Sequence, residues 1–588
     1  MTQRSLRVLP FVIMVLAVAA GCAAHVDPAD TVLRDGKIVT MDSAHPEGQA
    51  LAIVGDKIAA VGSDADIQRY VGPNTKVIDL QGHLAVPGFI ESHGHFTGLG
   101  EALTQLALRG VPSWQQVAAM VAEAAKTAKP GAWIQGSGWH QEKWNRSPGR
   151  IVKGFQTNDL INQAAPHNPV VLAHASGHAL IANDVALRLA GIGPSTPNPP
   201  GGEIIKDARG RPTGVVVDGA EALVERAVAK SLAARPPQDA EADFRRQVQL
   251  ASENALANGV TSFQDMGESF ATIDGIKKMV DAGALPLRLY ILVSQREVRP
   301  DDVDSLVAHR MVDYGSGHLT VRAIGEITSD GALGSRSAWM LQPYDDDPTN
   351  SGLNVTTMAR IKEIAEIGLA HGFQISVHAI GDRANKETLD AFQAIFQEHH
   401  VTGDTLRWRI EHAQHLSPAD IPRFAQLGVV ASMQAIHACS DAPYVLPRLG
   451  PTRAREGAYV WQSLWKTGAV VTNGTDVPVE AISPIASFHC SVTRDMVGTD
   501  SAFFPEQRLT RQQALATYTT NGAYVAFEER EKGILAPGKD ADIAVLSRDI
   551  MTVPPDSILG TTVLYTLVGG KVAYTGADTA HAAPVAAR

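Results

Sequence analysis

Eight apolar runs rich in β-branched residues recur along the middle of the chain, and helix-like stretches separate them. Strands that alternate with helices predict βα units and a parallel sheet. Eight such units close a (β/α)8 barrel, so we predict an α/β fold with a TIM-like barrel. An open, doubly wound sheet is the alternative. The predicted strands are Leu84–His93, Gly259–Asp265, Leu287–Ser294, Leu319–Glu326, Phe373–His378, Leu406–His412, Gly428–Met433 and Ala469–Thr475.

Both ends of the chain differ from this middle. Short β-like pieces with Gly and Asp turns fill residues 31–83 and return only in residues 530–575. This is the pattern of hairpins, and we predict one composite β-sandwich built from both termini. The barrel is assigned to residues 84–529. Residues from about 96 to 250 are too many for a βα loop and carry strand signals of their own, so they are predicted to form an inserted subdomain.

The first 21 residues have the features of a signal peptide. Arg4 and Arg7 precede an unbroken apolar run from Phe11 to Ala20, which is shorter than the ~20 residues that a transmembrane helix needs. Small residues directly before Cys22 resemble a bacterial lipobox. We therefore expect an exported lipoprotein, periplasmic or at the cell surface, anchored in a membrane by a lipid on Cys22. Plain secretion is the alternative.

The net charge and the cysteine content limit the possible partners and the possible disulfides of the chain. The formal net charge of −11 argues against a nucleic-acid partner, because phosphate binding needs a basic surface. After Cys22 only Cys439 and Cys490 remain, which allows one bridge or two buried thiols. The expected partners are a small-molecule substrate and, through the lipid, a membrane. A homo-oligomer is left open.

A His-x-His pair is the strongest single signal for chemistry. His93 and His95 lie at the end of the first predicted strand, where side chains two residues apart point the same way. Both imidazoles can therefore bind one metal ion, and imidazole suits zinc and similar ions. On its own such a pair is weak evidence, because many histidines are core residues.

Three further residues strengthen the metal hypothesis. His378, His412 and Asp476 each stand at the carboxyl end of a predicted strand, which is the end where barrel enzymes build their active sites. Taken singly, each is explained as a buried histidine or a turn aspartate. Together with the His-x-His pair they occupy the ends of strands one, five, six and eight, which favours a shared metal site.

This set of residues resembles the amidohydrolase superfamily, and local motifs resemble its family-3 (YtcJ-like) branch. The resemblance implies the barrel with a composite sandwich, one or two divalent metals, usually zinc, and a substrate-facing role for His178. Arg336 is interpreted as holding a substrate carboxylate or orienting a loop. The motifs are Asp330–Arg336 (DGALGSR), His378–Arg383 (HAIGDR), Arg409–Gln414 (RIEHAQ), Gly474–Val479 (GTDVPV) and Pro537–Asp542 (PGKDAD).

The chain departs from that family at one position. Many relatives carry a carboxylated lysine on the fourth strand that bridges two metals, whereas the alignment on Asp330 places Glu326 there. We predict that Glu326 is a metal ligand and bridges directly, because a carboxylate offers one oxygen to each of two cations. The alternative is that Glu326 orients a histidine beside a single metal.

The expected activity is hydrolysis of an amide-type carbon–nitrogen bond. A divalent metal activates water and polarises a carbonyl, and Asp476 is predicted to act as both metal ligand and general base. The alternatives are a deaminase or lactonase on the same scaffold, since a fold does not fix the reaction. A degenerate barrel that acts as a surface binding protein is the non-enzymatic alternative.

Overall fold

The computed structural model describes residues 27–141, 144–174, 179–199, 202–499 and 501–577. The predicted signal peptide, the lipidation residue Cys22 and the predicted substrate residue His178 lie outside these ranges. The strands, helices and contacts of the protein are known for these ranges.

Two small sheets precede the barrel. In the first, the strand order is β5-β4-β1-β6, with β1 antiparallel to β4 and parallel to β6. The second sheet begins with β7, β2 and β3 and is completed by strands from the far end of the chain. The elements are β1 (Thr31–Arg34), β2 (Lys37–Val39), β3 (Glu47–Gly48), β4 (Ala50–Val54), β5 (Lys57–Gly62), α1 (Asp64–Ile67), β6 (Lys76–Asp79) and β7 (Leu84–Pro87).

The first predicted strand, Leu84–His93, is two strands in the structure, so this prediction is corrected. β7 belongs to the small sheet, and β8 (Phe89–Gly94) is the first strand of the barrel. Gly88 separates them, and a Cβ atom there would lie 2.2 Å from the Thr261 hydroxyl oxygen. Only glycine allows the chain to pass this close to the second barrel strand.

An inserted unit follows α2 (Phe96–Thr104), the helix that begins directly after His95. Its six-stranded sheet has the order β15-β16-β14-β13-β10-β9 and packs on its own core around Trp114 and Trp139. The elements are β9 (Leu106–Ala107), α3 (Trp114–Thr127), β10 (Ile134–Trp139), β11 (Ile151–Val152), β12 (Phe155–Gln156), α4 (Asp159–Ala164), β13 (Val170–His174), β14 (Ala179–Ala182), α5 (Asp184–Leu189), β15 (Gly202–Lys206), β16 (Pro212–Asp218) and α6 (Glu221–Ala233).

The barrel then continues through seven more parallel strands. The elements are α7 (Pro237–Ala257), β17 (Val260–Glu268), α8 (Phe270–Asp281), β18 (Arg288–Val293), α9 (Val303–Ala308), β19 (Met311–Asp313), α10 (Tyr314–Gly317), β20 (Leu319–Thr328), α11 (Met358–Ala370), β21 (Gln374–Ala379), α12 (Asp382–Glu398), α13 (Gly403–Leu406), β22 (Arg409–His412), α14 (Ile421–Leu427), β23 (Val430–Met433), α15 (Ala435–Gly457), α16 (Trp461–Thr467), β24 (Val471–Asn473) and α17 (Pro484–Thr493).

These strands confirm the predicted TIM-like barrel. Their order is β8-β17-β18-β20-β21-β22-β23-β24, and every neighbouring pair is parallel. The doubly wound alternative is wrong, because its strand order would reverse at a switch point. Where the first and last strands meet, the Asp476 amide donates to the His93 carbonyl at 2.9 Å and the His95 amide donates to Val477 at 2.8 Å.

The far end of the chain returns to the small sheets. Strand β25 pairs antiparallel with β7, which gives a six-stranded sheet of order β27-β26-β25-β7-β2-β3. Leu33, Ile53 and Ile543 pack in the shared core. This composite sandwich is joined to the barrel by Arg288, whose guanidinium donates to Asp542 at 2.8 and 3.2 Å. The elements are α18 (Arg511–Thr517), α19 (Thr520–Val525), β25 (Ile543–Leu546), β26 (Val563–Val568) and β27 (Lys571–Thr575).

Among the described residues, none of the helices combines the length and the apolar character that crossing a bilayer requires.

A disulfide joins two helices above the barrel. Cys439 in α15 and Cys490 in α17 are bonded across 51 residues, with their Cα atoms 6.2 Å apart. Both residues are buried. Of the two arrangements that the sequence allowed, the structure has the bridge. It holds together the helices that follow the seventh and eighth strands.

We expect Cys490→Ala to lower the free energy of unfolding by about 2–4 kcal/mol, because the unfolded chain regains the freedom of a closed loop. Denaturant titration of the folded protein measures the change. Cys439→Ala serves as the matched control, and the double variant should lose no more than either single variant. Additive losses in the double variant would mean that the two sulfur atoms act as separate packed thiols.

Candidate metal centre

Six side chains predicted as metal ligands converge at the carboxyl end of the barrel. His93 is the last residue but one of the first strand, and His95 follows that strand directly. The others come from strands four, five and six and from the segment after strand eight: Glu326, His378, His412 and Asp476. Parallel strands place all these positions at one end of the barrel.

Glu326 stands at the centre of this group. Its Oε2 atom lies 3.4 Å from His412 Nε2, 3.5 Å from His378 Nδ1 and 3.9 Å from His93 Nε2. The carboxylate therefore faces three imidazoles from three different strands. This is the position that the sequence assigned to a bridging ligand.

Asp476 closes the other side of the group. Its Oδ1 atom lies 3.2 Å from His95 Nε2 and 3.4 Å from His93 Nε2. Asp476 and His412 both adopt left-handed backbone conformations, with φ of 57° and 70°. Such conformations are uncommon for residues other than glycine and occur often at functional sites.

The donor atoms fit divalent cations. Three triads of ligand atoms each lie within 4.8 Å of one another: His93, His95 and Glu326; Glu326, His378 and His412; and His93, His412 and Asp476. His93 Nε2 and Glu326 Oε2 are buried and have no hydrogen-bond partner in the described part of the chain. Buried polar atoms are normally paired, so these two unpaired atoms fit the binding of a cation. Imidazole and carboxylate are ligands that zinc accepts.

The charges of the site also favour a cation. Burial alone would raise the pKa of Glu326, but the charge of His378 and the close contacts of His378 and His412 with its carboxylate hold this pKa well below its usual range. The pKa of Asp476 is likewise raised by burial, yet His93 and His95 lower it well below its usual range. Both carboxylates are therefore ionised, and they present two negative charges among four imidazoles.

A sequence model of the amidohydrolase family matches residues 76–574. This match covers the barrel, the six converging side chains and about half of the composite sandwich, from β6 onward. The chain belongs to the amidohydrolase family. As a member of this family it is a hydrolase that acts on carbon–nitrogen bonds.

Three relatives of this amidohydrolase match over nearly its whole length. Protein LONG AFTER FAR-RED 3 of Arabidopsis thaliana is 34% identical over 93% of the chain and 92% of its own length. YtcJ of Bacillus subtilis (strain 168), which is named as an amidohydrolase, is 28% identical over 92% and 98%. The N-substituted formamide deformylase of Arthrobacter pascens is 26% identical over 93% and 98%. The predicted resemblance to the YtcJ-like branch is confirmed.

A solved structure shows the same architecture. The metal-dependent hydrolase of Pyrococcus furiosus superposes with a TM-score of 0.71 at 26% identity, over 89% of this chain and all of its own. The barrel with its additional sheets is thus the fold of a metal-dependent hydrolase.

Three residues for which the sequence predicted no role contact the predicted ligands of this amidohydrolase or lie beside them. His93 Nδ1 lies 2.7 Å from Glu411 Oε2, and His412 Nδ1 lies 2.7 Å from the side-chain oxygen of Gln434. Asp330 accepts three backbone N–H groups, from Trp339, Ile380 and Gly381, beside His378. One sequence signal was available, because Glu411 is a charged residue inside an otherwise buried strand.

His437 also points into the centre. Its Nε2 atom is buried 3.9 Å from Asp476 Oδ2, and its Nδ1 atom lies 3.2 Å from the Gln414 side-chain nitrogen. A nitrogen that donates to Nδ1 leaves the proton of a neutral imidazole on Nε2. His437 thus presents an N–H group beside the predicted general base.

Of the two predicted substrate residues, the structure describes only Arg336. Arg336 lies in the loop after the fourth strand, where its guanidinium donates to both oxygens of Asp346 at 2.9 and 3.2 Å. Arg448 pairs with the same carboxylate. This contact is the loop-orienting alternative for Arg336, and its substrate role stays a prediction. The same holds for His178, which lies outside the described residues.

Proposed function

We propose that this amidohydrolase cleaves an amide-type bond of a small molecule by attack of water, with Asp476 as the general base. The convergence of four histidines and two ionised carboxylates around unpaired, buried ligand atoms carries the proposal. His93, His95, Glu326, His378, His412 and Asp476 would hold one or two divalent cations, which we propose to be zinc. Such a cation acidifies water and polarises a carbonyl oxygen.

The chain's own residues supply the proton transfers. Asp476 Oδ1 faces His93 and His95, while Oδ2 faces His437. Asp476 can therefore accept a proton from the attacking water on one oxygen and pass it to the leaving nitrogen. The N–H group of His437 is placed to hold the substrate or the departing group beside that carboxylate.

The substrate class is proposed from one relative and from the site. The Arthrobacter pascens relative acts on N-substituted formamides, according to its name. We propose that this chain takes small N-acyl or N-formyl amides. A deaminase or lactonase activity on the same centre is the alternative, since the same cation and base would serve those reactions.

The deciding experiment combines metal removal with a change at Asp476. Purified protein should hydrolyse at least one member of a panel of N-formyl and N-acyl amides, lose that activity to a chelator and regain it with zinc. Asp476→Asn should reduce kcat by ~10²–10⁴-fold, the range that general acid–base groups supply. Lactones and aminated heterocycles in the same panel test the alternative. Full activity in metal-free protein, or normal turnover by the Asn variant, would contradict the proposed mechanism.

We propose that Glu326 would bridge two cations, because it belongs to two of the three ligand triads and shares each of them with different histidines. Glu326→Gln should therefore reduce bound zinc by about one equivalent per chain and abolish turnover, as measured by elemental analysis and amide hydrolysis. Glu363→Gln, which changes an exposed carboxylate paired with Arg360, is the control and should keep its zinc. A wild-type protein that is fully active with a single zinc would contradict the bridge.

We also propose that the protein is exported and anchored by a lipid on Cys22. The disulfide between Cys439 and Cys490 supports an oxidising compartment, since such bonds rarely persist in the cytosol. Cys22→Ser should move the protein from the membrane fraction to the soluble fraction, as followed by immunoblotting after fractionation. Cys490→Ser, which leaves the leader unchanged, is the control and should stay with the membrane. A wild-type protein that is already soluble outside the cytoplasm would favour plain secretion.

A further inference from the structure

His93 is held from behind by a carboxylate. Its Nδ1 atom lies 2.7 Å from Glu411 Oε2, while its Nε2 atom faces Asp476 at 3.4 Å and Glu326 at 3.9 Å. An ionised carboxylate only accepts hydrogen bonds. The proton therefore sits on Nδ1, and Nε2 turns its lone pair toward the metal centre.

The side chain of Glu411 is held in one orientation by hydrogen bonds that involve its own strand and neighbouring strands. The Ser376 hydroxyl donates to its Oε1 atom at 2.6 Å, and an Arg409 Nη2–H donates to its Oε2 atom at 3.1 Å. Arg409 also donates to the Ser92 carbonyl at 2.5 Å and to Ser432 at 2.9 Å. Glu411 and Arg409 are fully buried, so their ion pair is not weakened by solvent.

His412 has a different kind of partner. Its Nδ1 atom lies 2.7 Å from the side-chain oxygen of Gln434, and the amide nitrogen of Gln434 donates to the Ser432 carbonyl at 3.0 Å. The rings of His93 and His412 meet edge to face, with their centroids 4.7 Å apart. One of these two neighbouring ligands is therefore supported by a negative charge and the other by a neutral amide.

We propose that Glu411 is a positioning residue that fixes His93 for metal binding and makes the cation at His93 the more tightly held of two. The inference rests on the proposed metal centre. A carboxylate behind an imidazole fixes its tautomer and raises its basicity, and loss of such a partner typically costs 10–100-fold in metal affinity. Gln434 fixes the tautomer of His412 but adds no charge, so we assign the less tightly held cation to the triad of Glu326, His378 and His412.

Zinc retention by the full-length, zinc-loaded protein tests this asymmetry. The protein is equilibrated with buffers that fix free zinc at graded concentrations, and bound zinc per chain is counted. Wild type should lose its two zinc ions in two separate steps. In Glu411→Gln the tighter step should weaken by roughly 10–100-fold and merge with the other, because both histidines then have amide partners.

Matched variants separate positioning from damage to the fold. Gln434→Ala should weaken the looser step alone, and Glu363→Gln, at an exposed ion pair with Arg360, should change neither step. Glu411→Gln leaves Arg409 buried without its counter-charge, so Ser376→Ala provides a milder second test. It keeps the carboxylate but removes one hydrogen bond, and it should weaken the tighter step by a smaller factor.

Excess zinc gives a readout that structural damage would not. Hydrolysis by Ser376→Ala or Glu411→Gln should recover as free zinc rises, since the site forms once zinc occupies it. Unchanged zinc steps in both variants, or loss from the looser step alone, would overturn the proposal. A single zinc per wild-type chain would overturn it as well, yet hydrolysis by that one-zinc protein would leave the proposed function intact.

Discussion

The barrel seam is the constraint on which the metal centre depends. Two backbone hydrogen bonds join the first strand to the segment after the eighth, from Asp476 to His93 and from His95 to Val477. The same residues that close the barrel also carry predicted ligands. Gly474 makes this approach feasible, because a Cβ atom there would lie 2.6 Å from the His93 backbone. Closure of the barrel and assembly of the centre are therefore one event.

The interior below the centre is polar, which is costly and needs compensation. Burial alone would raise the pKa of Glu411, but the charge of Arg409 and the contact with His93 lower this pKa to about 2. Breaking such a buried pair typically costs 3–5 kcal/mol, whereas a well-packed apolar replacement is often neutral for stability. The buried pair of Arg409 and Glu411 therefore adds little to the stability of the fold. Its position directly behind His93, a predicted metal ligand, indicates a role in orienting that side chain.

The sequence was sufficient for the fold and for the positions of the predicted ligands, but not for the residues that hold those side chains in place. Strand periodicity gave all eight barrel strands, and residue types at strand ends gave a set of side chains that the structure brings within contact distance. Strand periodicity missed the break at Gly88, because a continuous apolar run does not reveal where a chain passes from one sheet to another. The roles of Glu411 and Gln434 depend on the register of separate strands. The pairing of Cys439 with Cys490 depends on a Cα distance that sequence separation does not encode.

The composite sandwich also dictates when folding can finish. Strand β7 pairs with β25, so Leu84 can pair only after Leu546 has been synthesised, more than four hundred residues later. Contacts of such long range form slowly, since the intervening chain must first be ordered. Until β25 arrives, one edge of β7 presents unpaired backbone groups that can pair with other chains. Strand β25 therefore covers the edge of a strand that is synthesised much earlier. A chain truncated before β25 would keep all eight barrel strands beside an exposed, aggregation-prone strand edge.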